Sequence, residues 1–218
     1  MITRAIVALN VLAFIWEIVV THGAVIMGLP NQPTPVDNYV LAPSTILIDH
    51  QYYRIVTSAF LHASILHIAM NMIFLVSVGR FIEAAMGAWR TLLVYTISLV
   101  GSGLAVVYLS APNTATLGAS GAIFGMFGAL FAIGLKLGEP GRQLIRANLG
   151  ILVVNLVWSF AIPFIAKQAH VGGLIAGFIG AFALYYPPKP VHARVVDQTS
   201  GTEYESTLEV PSDEQHRY

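Results

Sequence analysis

The chain has 218 residues, 56% of them hydrophobic and 10% charged, and its 11 basic and 11 acidic side chains give a formal net charge of zero. So few charges, against about 25% in an ordinary soluble domain, together with a mean hydropathy of +0.71, exclude a water-soluble globule. The absence of cysteine excludes disulfides and thiolate catalysis.

Six apolar runs, at about 2–21, 57–78, 91–109, 120–137, 144–163 and 170–186, approach the ~20 residues that a spanning helix needs. The expected fold class is therefore an all-α membrane protein. The first run ends before Gly23 and Pro30. A secretory signal peptide is the alternative for it, but the apolar stretch is long for an h-region and Glu17 interrupts a small-residue cleavage pattern.

The loop at 22–53 is the longest and combines Pro30, Pro33, Pro35 and Pro43 with Leu41, Ile46, Leu47, Ile48, Tyr52 and Tyr53. It is too apolar for a free linker and is expected to lie in the outer interface or to fold back on the helices. Further on, Gly87 precedes the third run, Pro112 follows it, Pro140-Gly141 divides the fourth from the fifth, and Pro187-Pro188 stops the sixth. Two domains follow: a membrane domain over 1–190, and a polar tail over 191–218, rich in Asp and Glu, that is expected to be disordered and cytoplasmic.

Orientation follows from Lys and Arg. With six alternating spans, Arg4, Arg80, Arg90, Lys136, Arg142, Arg146, Lys189, Arg194 and Arg217 share one side, leaving Arg54 and Lys167 on the other. The positive-inside rule then places both termini in the cytoplasm. Because charge is sorted by side, the zero net charge says little about partners, and the bilayer is the one partner that composition demands.

Polar groups converge on the outer half of this arrangement. Ser120, in Gly118-Ala119-Ser120-Gly121, heads the fourth run, and His170 opens the sixth. His67 and Asn71 are four apart in the second run and share a helix face. His62, five before His67, is rotated about 140° from it and belongs on another face or in the preceding loop. Ionisable groups at such depth are functional candidates.

Several chemistries fail on spacing. The His62 to His67 interval does not match His-Glu-x-x-His, so no metal is expected. The second to sixth runs hold no Asp, which rules out a paired-aspartate site. Lys136 lies about 24 Å along the helix from Ser120, too far for a Ser–Lys dyad. His170 remains as the base for Ser120, with no acid to orient it. Packing on an aromatic ring such as Phe124, one turn beyond Ser120, would have to substitute.

An oxyanion would find donors in the backbone N–H groups of the helix start at Ser120, joined by His67 and Asn71. Gly121/Gly125 and Gly173/Gly177 are small-xxx-small pairs that would let the fourth and sixth helices approach closely. Each feature also has an ordinary reading, as a serine bonded to its own backbone or a packing glycine. Their shared depth favours chemistry.

These residues resemble the rhomboid family of intramembrane serine proteases. The likeness runs from about Tyr52 to Tyr186 through Tyr53-Arg54, His62-x4-His67-x3-Asn71, Gly79-Arg80-Phe81-x-Glu83-x3-Gly87, Gly118-Ala119-Ser120-Gly121 and Ala169-His170-x2-Gly173-x3-Gly177. Tyr53 departs from the usual Trp before Arg. The resemblance implies a six-helix rhomboid-like bundle with Ser120 as nucleophile and His170 as base. His67, Asn71 and the Ser120 amide would stabilise the oxyanion, and His62, Gly118 and Phe124 would support the site.

It also implies single-pass transmembrane protein substrates, cut near the outer face, with no cofactor, metal or nucleic acid. The fifth helix, with Trp158 and Phe160, and the loop at Lys167 and Gln168 would form a gate, loosened by Pro163, or an ordinary interfacial anchor. The N-terminal stretch lacks a mitochondrial transit pattern, which favours a bacterial or archaeal plasma membrane. Two other functions stay open: an idle rhomboid-like protein that binds membrane helices, and a small transporter with a polar path through His67, Asn71 and His170.

Overall fold

A computed structural model describes residues 1–28, 33–162 and 165–187, together with the backbone of two strands beyond them. Pro30, Pro163 and Pro188 lie outside the described residues. The chain divides into two units, Met1–Tyr185 and Tyr186–Tyr218.

The first unit is helical. Six long helices, α1 (Ile2–Val20), α4 (Ile65–Met86), α5 (Ala88–Leu109), α6 (Ser120–Lys136), α7 (Glu139–Ala161) and α8 (Lys167–Leu184), follow the six apolar runs, and short helices α2 (Pro43–Leu47) and α3 (Arg54–Thr57) interrupt the first loop. Among the described residues, α1, α4, α5 and α7 are each long and apolar enough to cross a membrane, and α6 is a shorter apolar helix of 17 residues.

The second long helix starts eight residues later than its apolar run. Ser64 is its N-cap, with an extended backbone and a hydroxyl that accepts from the His67 N–H, so the chain before it, including His62, forms a packed loop. At its far end the helix runs on past Arg80 to Met86, where Gly87 (φ 80) ends it, and Glu83 lies in that extension. The Glu83 carboxylate accepts from Ile2 N at 2.7 Å, Thr3 N at 3.1 Å and Thr3 Oγ1 at 2.7 Å. It thus caps the N-terminus of α1, where unpaired N–H groups and the helix dipole favour an anion.

Helix α6 lies at the centre, touching α4, α5, α7 and α8, and its buried face joins Leu75, Ile82 and Val94 in one apolar core through Met126 and Ile133. Its contact with α8 is backbone on backbone. A Cβ on Gly173 would strike the Gly121 carbonyl, and one on Gly177 the Gly125 carbonyl. Only glycine permits that approach.

The first loop folds back on the helices. Arg54 is buried and donates from Nη1 to the carbonyls of Asp37 at 2.5 Å and Val40 at 2.8 Å. Leu41 and Thr116 exchange backbone hydrogen bonds at 3.1 and 2.7 Å, tying the loop to the segment that leads into α6. Tyr53, at the unusual motif position, donates to the Asn38 carbonyl at 3.1 Å.

In the second unit, β1 (Val191–Val196) and β2 (Glu203–Leu208) pair as antiparallel strands, Arg194 opposite Glu205 and Val195 opposite Tyr204. The stretch 191–218, expected to be a polar, disordered tail, includes both strands, and the β-branched Val191, Val195 and Val196 of β1 suit a ladder. The rest of that stretch lies outside the described residues.

Candidate active site

Three helices begin at the same place. His67 lies in the first turn of α4, Ser120 opens α6, and His170 lies in the first turn of α8. Their side chains meet around a cavity of about 590 Å³ that is also lined by Ser58, Asn71, Gly118, Phe124, Asn155, Trp158 and Ser159.

Ser120 Oγ stands 2.8 Å from His170 Nε2. His170 is buried, and its ring stacks on Phe124 with centroids 4.2 Å apart and planes 13° from parallel. The offset of four residues between Ser120 and Phe124 puts both on one face of α6, so the helix holds the hydroxyl and the platform for its partner together.

A further contact has no counterpart in the sequence reading. Ser159, buried on α7, has its Oγ 2.6 Å from His170 Nδ1 and donates to the Asn155 carbonyl at 2.7 Å. The histidine therefore touches a serine on each nitrogen. A serine at i+4 from a helical carbonyl ordinarily reads as backbone-bonded, and only its closeness to α8 reveals the second contact.

Gly118 (φ 117) turns the chain into α6. A Cβ there would come within 2.8 Å of His67 Cε1 and 3.0 Å of Nε2, so the glycine leaves room for that ring. The Gly118 N–H donates to the Ser58 carbonyl at 2.8 Å. His67 Nδ1 accepts from Ala63 N at 3.2 Å, which leaves its proton on Nε2. Asn71 Nδ2 donates to the His67 carbonyl at 2.9 Å, and the amide has a second hydrogen to offer.

His62 sits in the preceding loop and does not line the cavity. Its ring is wholly buried, 5.1 Å by centroids from His67, and Nδ1 lies 3.2 Å from the Phe60 carbonyl. Burial, joined by the nearby His67 ring and opposed by the bond to Phe60, pushes the imidazole down to about 3. His62 is thus neutral and packs against His67 from outside the cavity.

Comparison with known proteins bears on the same stretch. Residues 49–187 match the family described as the Rhomboid domain. Rhomboid protease GluP of Bacillus subtilis (strain 168) is 36% identical over 146 residues, covering 66% of this chain and 28% of that protein. The RHOMBOID-like protein 6, mitochondrial, of Arabidopsis thaliana is 33% identical over 144 residues, 64% of this chain and 46% of that protein. Inactive rhomboid protein 1 of Danio rerio is 32% identical over 142 residues, 62% of this chain and 16% of that protein. The chain thus spans less than half the length of these relatives.

Proposed function

The chain belongs to the rhomboid family, and on that premise we propose that it is an intramembrane serine endopeptidase cutting transmembrane segments of single-pass proteins. The observation that carries this reading is the 2.8 Å approach of Ser120 Oγ to His170 Nε2 beside a cavity in an apolar helical bundle.

In the proposed reaction, Ser120 Oγ attacks the scissile carbonyl carbon while His170 Nε2 takes the hydroxyl proton. The resulting oxyanion lies against the N–H of Ser120, the His67 Nε2–H and the free hydrogen of Asn71 Nδ2, donors fixed in place before the charge develops. The carbon–nitrogen bond then breaks and the leaving amine takes the proton from His170. Water repeats the sequence on the acyl-enzyme, giving its proton to His170 and its oxygen to the carbonyl carbon, and Ser120 departs with its hydroxyl restored. Phe124 supports the ring, and Gly118 and His62 keep His67 in place.

All six long helices cross the bilayer in this reading, with both termini cytoplasmic, as the charge sorting supports. The likeness to the Bacillus subtilis protein supports a bacterial or archaeal plasma membrane. The inactive relative makes a helix-binding protein the second reading, and the intact Ser120–His170 contact argues against it. Reconstitution of wild type and Ser120→Ala with a single-span test substrate decides: cleavage by the first alone is expected, and equal cleavage by both, or by neither, defeats the proposal.

A further inference from the structure

Helix α7 buries little of itself. Of its 23 residues, Gly141, Leu152 and Ser159 are the buried ones, and Ser159 places a hydroxyl on His170. Two contacts compete for that hydroxyl's single hydrogen. The Asn155 carbonyl, 2.7 Å away, can only accept. The hydrogen therefore goes there, and Ser159 Oγ is left with a lone pair facing His170 Nδ1 at 2.6 Å.

A lone pair on the oxygen requires a proton on the nitrogen. His170 thus carries its hydrogen on Nδ1 and presents a bare Nε2 to Ser120, which is the form a general base must have. The Phe124 stack fixes the plane of the ring but leaves open which nitrogen is protonated and which edge faces Ser120. Ser159 supplies both pieces of information.

Resting on the reading of Ser120 and His170 given above, we propose that Ser159 is a positioning residue: it holds His170 in the Nδ1–H tautomer and aims Nε2 at Ser120. It takes the place that a carboxylate occupies in a three-member triad, with two differences. A neutral hydroxyl orients the ring without adding a full charge beside the imidazolium. It also belongs to the least buried long helix, so the orientation of His170 depends on α7 being docked.

The test is the full chain, 15N-labelled in histidine and held in detergent micelles, with the His170 signal identified by its loss in His170→Gln. Wild type is expected to show a protonated Nδ1 and a bare Nε2. Ser159→Ala should mix or invert the tautomers, and Ser159→Thr, which keeps the hydroxyl, should restore them. In parallel, Ser159→Ala should lower kcat and the rate of fluorophosphonate labelling of Ser120 roughly tenfold, the weight of one neutral hydrogen bond, with KM unchanged. Ser159→Cys, a weak acceptor, replaces Ser159→Ala if the latter fails to fold.

A wild-type Nε2–H tautomer overturns the proposal. So does an unchanged tautomer in Ser159→Ala, or a changed tautomer with undiminished labelling in an enzyme that labels. If wild type neither labels nor cleaves, the protease reading fails, while the 15N spectrum still decides whether Ser159 sets the ring.

Discussion

Glu17 of α1 holds the backbone N–H of His62 with both carboxyl oxygens, at 3.0 and 3.1 Å. The carboxyl is wholly buried within an apolar helix, where an acid is retained only with a partner. The partner here is a loop amide, five residues before His67. The first helix thereby pins the segment that leads to His67, the side chain proposed above as an oxyanion donor, and a residue far from Ser120 in sequence reaches the cavity through the backbone.

Replacing Glu17 separates these links. Glu17→Ala leaves the His62 N–H buried and unpaired, at a cost of roughly 1–3 kcal/mol, and frees the loop. Glu17→Gln keeps an acceptor oxygen. Thermal unfolding in detergent should show a clear drop in Tm for Glu17→Ala and a smaller one for Glu17→Gln, and kcat should follow the same order. Equal Tm values for wild type and Glu17→Ala would show that the contact carries no weight.

The α6–α8 seam makes a sharper demand. Gly173→Ala puts a methyl into the Gly121 carbonyl, and neither backbone can yield without separating the helices that carry Ser120 and His170. Overpacking of this kind costs about 1–3 kcal/mol, and an ångström of misplacement at the reacting atoms costs about 100-fold in rate. Gly150→Ala on α7, where nothing lies within 4 Å of the added atom, is the control and should leave cleavage unchanged. Fluorophosphonate labelling of Ser120 in the two variants checks the contrast.

How much of this was legible in the sequence depends on what each residue answers to. Ser120, His170 and the glycines at 121, 125, 173 and 177 announce themselves because spacing along a helix fixes which face they share, and two glycine faces imply a seam. The start of α4 was misplaced because apolar composition does not mark where a helix begins, whereas the Ser64 cap does, and Ser64 lies inside the run. Ser159 carried no signal of its own, since its bond to Asn155 is what any helical serine makes. Glu17 did carry one, an acid at membrane depth, and its role emerges only when the His62 loop is seen beside it.

Oxyanion stabilisation is testable through His67 and Asn71. His67→Ala removes the Nε2–H beside Gly118, and Asn71→Ala removes an amide whose other hydrogen is spent on the His67 carbonyl. Loss of one such donor typically costs 10²–10³ in kcat. Each variant should lose kcat on that scale with little change in KM. If KM rises while kcat holds, the two side chains bind substrate rather than the transition state.

His62 gives the fold a pH dependence of defined sign. Its imidazole titrates near 6.5 when exposed and is pushed down to about 3 by burial and by the His67 ring; the Glu17 carboxyl contacts only its backbone N–H. The unfolded chain therefore binds a proton below pH 6.5 that the folded chain refuses until about pH 3. Stability is fully present above the first value and falls progressively as pH drops between the two. His62→Gln removes this group, so the slope of Tm against pH across that interval should flatten relative to wild type. Parallel slopes in the two proteins would mean that His62 is protonated in the folded state, and that its buried ring has a partner for the added charge.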